Sequence, residues 1–312
     1  MPQKILITPK SFKNYKDMAY PLLKTKGYDI IDNTMGRTLT EQEIVDFAAR
    51  DVVGIIVGVD PLPASVLNQC KNLKAISKYG VGMDNIDLEQ AKKLGIKVKN
   101  ALGTNSVSVA ELAIGFMFTA ARKIPAIVSK VKNGSWDRLI GCELTGKKLG
   151  LVGCGQIGRE VAKRAKGLEM DVLIYDPYFS DEKFLAGYSI KSARDITEIF
   201  ETSDFISLHV PATPETKKII NKNSLRVMKP NAVLINTSRG ELVDEEALYD
   251  ALKNGLIAAA VQDVFSSEPP AADNKLLKLD NFILTSHIGA YTHEAVEKMV
   301  IVSTQNLLEM LQ

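Results

Sequence analysis

Two groups of residues raise the question of chemistry: the glycines of Gly153-Cys154-Gly155-Gln156-Ile157-Gly158, and the charged set Arg239, Glu268 and His287. The first has G-x-G-x-x-G spacing. Alone that spacing is weak, because a chain with 21 glycines can produce it in an ordinary turn. Here it follows an apolar run, Leu149-Gly150-Leu151-Val152, and opens a helical pattern from Arg159 to Lys166. An acid, Asp176, ends the next apolar run 18 residues beyond Gly158. Strand, turn, helix and distal acid together make a dinucleotide site. Gly153 permits the tight turn, Gly155 lets a pyrophosphate approach the backbone, and Gly158 lets helix and strand pack closely. The helix N-terminus offers free N–H groups and positive dipole to the phosphates. Asp176 can accept bonds from both ribose hydroxyls and repels a 2′-phosphate. The expected cofactor is therefore NAD rather than NADP.

The second set lies downstream. Arg239 stands in Asn236-Thr237-Ser238-Arg239-Gly240, Glu268 in Ser267-Glu268-Pro269-Pro270 and His287 in Ser286-His287-Ile288-Gly289. Each follows an expected parallel strand, where open α/β sheets bind ligands. Singly they read as loop charges and a surface histidine. Together, after a cofactor fingerprint, they predict a hydride-transfer site. Arg can hold a carboxylate by a bidentate fork. His can exchange the hydroxyl proton near neutral pH, and a neighbouring carboxylate favours its charged form. No metal site is expected. The three cysteines, Cys70, Cys142 and Cys154, are too scattered for a disulfide framework or zinc knuckle and suit a reducing cytoplasm.

These residues need a scaffold, and the pattern supplies one. Ten short β-rich runs, most of them nearly continuous in apolar residues, predict strands at Ile5–Thr8, Val52–Val57, Leu73–Ser77, Lys97–Asn100, Lys148–Val152, Val172–Tyr175, Phe205–Val210, Val233–Asn236, Ala259–Asp263 and Phe282–Thr285. Helical stretches fall between them: 41–49, capped by the box Thr40-x-x-Glu43, then 88–94, one long helix at 107–131, 157–167, 245–254 and 294–311. Continuous apolar strands alternating with helices predict parallel α/β sheets. With 312 residues, two domains are expected. Apolar residues make up 46% and charged residues 24%, as in ordinary globular chains. A net charge of +2 without a basic stripe argues against nucleic acid and anionic membrane. The apolar run Leu112–Ala121 has ten residues, against about twenty needed to span a bilayer. The N-terminus lacks a secretory-signal pattern, so a cytoplasmic location is expected.

Several blocks in fixed order give a more specific reading. They are Lys78-Tyr79-Gly80-Val81-Gly82-Met83-Asp84-Asn85-Ile86-Asp87, Ser106-Val107-Ser108-Val109-Ala110-Glu111-Leu112, Gly134-Ser135-Trp136, the Gly153 fingerprint, His209-Val210-Pro211-Ala212-Thr213-Pro214-Glu215-Thr216, Asn236–Gly240, Asp263-Val264-Phe265 and His287-Ile288-Gly289-Ala290. This combination resembles the D-2-hydroxyacid dehydrogenases, especially their phosphoglycerate dehydrogenase-like branch. It covers residues 73 to 293; the first 70 match only in pattern.

The resemblance implies two doubly wound Rossmann-like domains. A cofactor domain, 101–290, is inserted into a discontinuous substrate domain, 1–100 plus 291–312, with hinges near Asn100 and Ala290. Arg239, Glu268 and His287 match the catalytic positions. Val81 and Gly82 match a loop whose N–H groups grip the substrate carboxylate. Gln156 and Ile157 match the pyrophosphate turn, Asp176 the ribose anchor, and Val210, Pro211 and Thr216 the adenosine half. Thr237 and Asp263 match contacts near the nicotinamide, and Ser238, Arg239, His287, Gly289 and Ala290 join the cofactor set. The implied substrate is a small 2-hydroxy acid or 2-oxoacid. The leading one is 3-phosphoglycerate, with hydroxypyruvate or glyoxylate as the alternative. An NAD-sensing, corepressor-like binding protein is the alternative of another class. A homodimer is implied, with the region of the helix at Val107 at its interface. Serine control through an added C-terminal domain is not expected, since the chain ends 25 residues after His287.

Other residues carry narrower expectations. Lys78, before the carboxylate loop, is the candidate phosphate cation, or else a solvated or domain-bridging charge. His209 is a satisfied polar residue or a cofactor contact. Glu111 pairs with Ser108 as a capping box. Asp84 and Asp87 serve turns and caps, Trp136 anchors packing or an interface, and His293 lies on an exposed first helical turn. Cys154 is an inert small residue, or a thiol activated by the helix N-terminus.

Overall fold

The computed structural model describes residues 3–49 and 51–312. Two compact units divide the chain: Met1–Asn105 with Ala290–Gln312, and Ser106–Gly289.

The first unit contains β1 (Lys4–Ile7), α1 (Lys16–Thr25), β2 (Asp29–Asp32), α2 (Glu41–Ala48), β3 (Val52–Val57), α3 (Ala64–Leu67), β4 (Ala75–Lys78), α4 (Leu88–Lys93) and β5 (Lys97–Asn100). Its five parallel strands have the order β2-β1-β3-β4-β5. The central strands β3 and β4 are buried at every position; β3 accordingly reads as an apolar run, whereas β4 carries Ser77 and Lys78 into the buried layer. The Thr40–Glu43 capping box forms as expected, with Thr40 accepting from the Glu43 N–H and Glu43 from the Thr40 N–H. Asp87 caps α4 by accepting from the Gln90 N–H.

The second unit contains α5 (Ser106–Ala121), α6 (Ile124–Lys132), β6 (Lys148–Val152), α7 (Gln156–Gly167), β7 (Asp171–Tyr175), α8 (Glu182–Tyr188), β8 (Lys191–Ser192), α9 (Ile196–Thr202), β9 (Phe205–Leu208), α10 (Lys222–Val227), β10 (Val233–Asn236), α11 (Glu245–Lys253), β11 (Ala259–Gln262) and β12 (Phe282–Leu284). Its seven parallel strands have the order β12-β11-β10-β9-β6-β7-β8, the doubly wound arrangement in which strand order reverses beside β6. Alternate strand residues feed two cores. Leu149, Leu151, Val172 and Ile174 pack with α5 and α7 residues such as Phe116 and Val161. Val152, Leu173, Ile206 and Leu208 pack with Ile199, Leu225 and Leu248 from α9, α10 and α11. The last helix, α12 (His293–Leu311), packs on β3, β4 and β5 of the first unit, where Gly54 makes room for Leu307 and Leu311.

All ten expected strands are present, most with ends shifted by a residue or two. Two more, β2 and β8, were not legible. Both lie at sheet edges and are partly or fully exposed, so neither needed an apolar run.

The single long helix at 107–131 is corrected. It breaks into α5 and α6, bent by 61°, with Lys123 in the left-handed region at φ 52°. Pro125 has no N–H to continue the ladder to the Ala121 carbonyl. That carbonyl accepts the Cys142 N–H instead, at 2.9 Å, and Gly141 permits the approach. Glu111 is also corrected: α5 starts at Ser106, so Ser108 lies inside the helix and is not its N-cap, and Glu111 reaches Arg164 on α7, Oε1 to Nη2 at 3.0 Å. Among the described residues no single helix is long and apolar enough to cross a membrane.

Candidate active site

The glycine turn joins β6 to α7. Gly153 has φ +93°, and a Cβ there would lie 2.5 Å from the His209 carbonyl oxygen. A Cβ on Gly158 would lie 2.4 Å from the Gly153 carbonyl oxygen. These two are glycine because the protein's own backbone passes too close. Gly155 differs: its Cβ would meet nothing within 4 Å. It N-caps α7 without any side-chain capping bond, so the fold leaves space before a helix N-terminus. Gln156 accepts the Ser106 hydroxyl at 3.3 Å, and Ile157 packs against the core. Asp176 sits at the end of β7 and accepts the Cys154 N–H at 2.8 Å and the Tyr178 N–H at 3.0 Å. One oxygen serves each bond, and each retains a lone pair for a hydroxyl.

The activated-thiol expectation for Cys154 is overturned. Burial pushes its thiol up to about 12, and the opposing Arg159 charge does not compensate for burial and the nearby Asp176 and Asp181.

The ends of β9 and β10 lie side by side, with Leu208 opposite Asn236. His209 donates to or accepts from Ser207 Oγ through Nε2 at 2.9 Å, and burial pushes its ring down to about 4, so it is neutral. Its Nδ1 and the Thr237 hydroxyl are buried without a protein partner. Such orphaned polar atoms in a native fold mark a place for a polar ligand or water. Thr216 ties its loop together, donating to the Pro211 carbonyl at 2.6 Å and accepting the Thr213 N–H at 2.8 Å. Val210 packs against the same core as α9 and α10.

Arg239, Glu268 and His287 follow β10, β11 and β12, three neighbouring strands. Asn236, which sequence reasoning quoted without a role, shapes the first loop. Its amide donates to the Arg239 carbonyl at 2.8 Å and accepts the Ser238 N–H at 3.0 Å. Gly240 was missed as well. A Cβ there would fall 2.0 Å from the Phe265 carbonyl carbon, so only glycine lets the Arg239 loop approach the Phe265 backbone. An Asn and a Gly closing a post-strand loop was the available signal. The Arg239 guanidinium donates to the Ser238 carbonyl at 2.6 Å.

Glu268 accepts the Phe265 N–H at 3.0 Å and lies 2.8 Å from His287 Nδ1. Burial alone would raise its carboxyl. The His287 hydrogen bond, the Phe265 N–H and the charges of His287 and Arg239 outweigh that and hold it below the usual carboxylate range. His287 has φ 57°, a left-handed conformation uncommon for a side-chain-bearing residue. Buried Asp263 holds that turn: its carbonyl accepts the His287 N–H, and its carboxylate accepts the N–H groups of Ile288 and Gly289 and the Thr285 hydroxyl. The set thus offers a cationic fork, an imidazole hydrogen-bonded to a carboxylate and a loop fixed by one carboxylate. That arrangement suits proton exchange beside a bound carboxylate.

In the first unit, Lys78 ends β4 and is 6% exposed, which overturns a solvated reading. Its ammonium donates to the Gly58 carbonyl and to Asn85 Oδ1. Gly80, at φ +132°, turns the chain into Val81 and Gly82, and the Val81 carbonyl accepts the Asn100 amide at 2.7 Å. Ala290 opens the last segment of this unit. His293, exposed on the first turn of α12, meets the Tyr15 hydroxyl at 2.6 Å. Trp136 is 81% exposed. Among the described residues, no cluster of His, Cys, Asp and Glu could hold a metal ion.

Comparison with known proteins accounts for this arrangement. The family model described as "D-isomer specific 2-hydroxyacid dehydrogenase, NAD binding domain" matches residues 114–289. The D-3-phosphoglycerate dehydrogenase of Methanocaldococcus jannaschii is 43% identical over 276 residues, 88% of this chain and 52% of that protein. The chain therefore spans about half the length of that relative. The hydroxypyruvate reductase of Thermotoga maritima is 42% identical over 277 residues, 88% of this chain and 89% of that protein. The apo structure of D-lactate dehydrogenase from Escherichia coli superposes with a TM-score of 0.85 at 30% identity, covering 99% of this chain and 97% of that one. With the glycine turn, the aspartate beyond it and the fold in agreement, the chain belongs to the D-2-hydroxyacid dehydrogenases, a family of NAD-dependent oxidoreductases.

Proposed function

We propose that the protein interconverts a small 2-hydroxy acid and its 2-oxoacid, with Arg239, Glu268 and His287 as the working side chains. The observation that carries this is the 2.8 Å pair between Glu268 and His287 Nδ1, beside Arg239, at the ends of adjacent strands in an NAD-binding unit. NAD, when bound, supplies the acceptor or donor of hydride for C2 of the substrate. Gly153, Gly155 and Gly158 with the first turn of α7 would hold its pyrophosphate, and Asp176 a ribose. The open space at Gly155 and the orphaned Thr237 hydroxyl fit that assignment. Val210, Pro211 and Thr216 would line the adenosine half. Ser238, Asp263, Gly289 and Ala290 would serve the nicotinamide end.

Arg239 binds the substrate carboxylate and orients the oxygen on C2. Glu268 occupies His287 Nδ1, so Nε2 exchanges the proton with that oxygen. During oxoacid reduction the carboxylate of Glu268 stabilises the charged ring. Val81 and Gly82 of the first unit are assigned to a carboxylate-binding loop, and the second unit is assigned as the cofactor domain.

Lys78 bears on the choice between candidate substrates. A phosphate needs cations besides Arg239, and the Lys78 ammonium is committed to the Gly58 carbonyl and Asn85. Buried Asp60 lies two residues past Gly58. This favours hydroxypyruvate or glyoxylate over 3-phosphoglycerate. Following NADH absorbance with a panel of 2-oxoacids and with 3-phosphoglycerate tests both levels. Reduction of hydroxypyruvate or glyoxylate with little oxidation of 3-phosphoglycerate supports the choice. Faster turnover of 3-phosphoglycerate reverses it, and inactivity on the whole panel overturns the enzymatic reading.

The protein is assigned to the cytoplasm as a homodimer. Its three cysteines are free, as a reducing compartment requires. Phe118, Ile124, Val128, Val131, Trp136 and Ile140 are exposed along α5, α6 and the segment after them, with Ile140 at 90%. Exposed apolar surface concentrated on one segment suits a second copy. Light scattering of the unmodified protein and Ile140→Glu checks this; a monomer in the unmodified protein refutes it.

A further inference from the structure

Arg159, one residue past the glycine turn, has a role that the proton-transfer chemistry leaves unused. Its guanidinium lies over two aromatic rings, 4.7 Å from the Phe179 centroid and 5.0 Å from that of Phe184. Those rings meet edge to face at 6.1 Å. One guanidinium nitrogen also donates to Asp181 Oδ2 at 2.5 Å. The other carboxylate oxygen, Asp181 Oδ1, accepts the Phe184 N–H and caps α8. Arg159 therefore grips three residues of the segment that follows β7.

That segment begins with Asp176. The Phe179 N–H donates to the Asp176 carbonyl at 3.2 Å, and the Tyr178 N–H to its carboxylate at 3.0 Å. The other carboxylate oxygen returns to the glycine turn through the Cys154 N–H at 2.8 Å. The connections form a closed ring: glycine turn, Arg159, the Phe179–Asp181 segment, Asp176, and the glycine turn again. A ring of this kind fixes the acid relative to the helix N-terminus. Without Arg159 the segment keeps its local turn bonds, the link to Cys154 and the packing of Phe179, Phe184 and Leu185 on the core, but loses its polar tie to the start of α7.

We propose that Arg159 is a positioning residue for cofactor recognition: by clamping Phe179, Asp181 and Phe184 to the start of α7, it holds the Asp176 carboxylate where an adenosine ribose is read and a 2′-phosphate refused. The inference deepens the assignment of Asp176 and rests on it. The planar guanidinium matters as well as its charge, because it packs against the aromatic rings while an N–H on its edge meets the carboxylate. Lysine can replace the charge but not the stack.

The test is calorimetric titration of NADH and NADPH into the unmodified protein, Arg159→Met, Arg159→Lys and Asp181→Asn, with Asp176→Ala in parallel. Asparagine keeps the α8 cap but removes the charge that Arg159 meets. Arg159→Met is expected to weaken NADH binding roughly three- to ten-fold and to narrow the NADH-over-NADPH preference. Arg159→Lys and Asp181→Asn should each show a smaller loss of the same kind. These two milder variants carry the test if Arg159→Met does not fold. Unchanged NADH affinity and cofactor preference across the Arg159 and Asp181 variants, beside a weakened Asp176→Ala, overturns the inference. An unaltered Asp176→Ala overturns instead the reading of Asp176 beneath it.

Discussion

The N–H of His287 donates to the carbonyl oxygen of Asp263 at 2.9 Å, and the Asp263 carboxylate takes the next two N–H groups, those of Ile288 and Gly289, at 2.8 and 2.7 Å. One buried aspartate at the end of β11 thus builds the left-handed turn that presents His287. Asp263→Asn turns an acceptor into a donor facing one of these N–H groups. It should destabilise the protein by about 1–3 kcal/mol and lower turnover. Denaturant unfolding and steady-state kinetics measure the two effects; unchanged stability would show that the carboxylate is not needed for the turn.

Glu268→Gln removes the negative charge beside His287. Protonating the ring then becomes harder, so activity in oxoacid reduction should fall away at lower pH than in the unmodified protein. A coincident pH–rate profile would separate the two residues functionally. Stability should respond with the opposite pH sense. The folded Glu268 carboxyl is held below its usual value by His287 and the Phe265 N–H against burial. Its stabilisation is present above the unfolded carboxyl value and lost as pH falls through the folded one. The gap in Tm between unmodified protein and Glu268→Gln should therefore shrink on acidification below about pH 4.

His287→Ala should lower turnover by roughly 10²–10⁴-fold, the usual contribution of a positioned proton donor. NADH affinity should change far less. Equal losses in turnover and in NADH affinity would recast His287 as a cofactor-binding residue.

Gly155 and Gly158 should separate binding from folding. A Cβ on Gly158 would strike the Gly153 carbonyl at 2.4 Å, whereas one on Gly155 meets no protein atom within 4 Å. Gly158→Ala should lower Tm. Gly155→Ala should leave Tm nearly unchanged and weaken NADH binding. Calorimetry and thermal melts on both variants measure this, and undiminished NADH affinity in Gly155→Ala would remove the pyrophosphate from that space.

Thiol reactivity should rank by burial. Cys142 is exposed, while burial pushes Cys70 up to about 11 and Cys154 up to about 12. Alkylation at neutral pH, mapped by mass spectrometry, should label Cys142 first and leave Cys70 and Cys154 largely unmodified. Rapid labelling of Cys154 would contradict its buried placement.

The buried parallel strands, the strand–glycine turn–helix unit and the presence of Arg239, Glu268 and His287 after strand ends were all legible in the residues. Each depends on short-range pattern: continuous apolar runs for strands buried on both faces, and fixed spacing for a turn that must admit a phosphate. The edge strands β2 and β8 were hidden because partial exposure relaxes that pattern. The break between α5 and α6 was half-written in Pro125, but the acceptor it frees at Ala121 is satisfied by Cys142, far along the chain. The same holds for the site. Which oxygen Asp263 gives to which N–H, why residue 240 must be glycine, and how Arg159 reaches Asp181 all depend on groups distant in sequence. The residues carry the chemistry and its local frame. Only the packed sheet, by bringing separate strand ends together, decided which hydrogen bonds hold that chemistry in place.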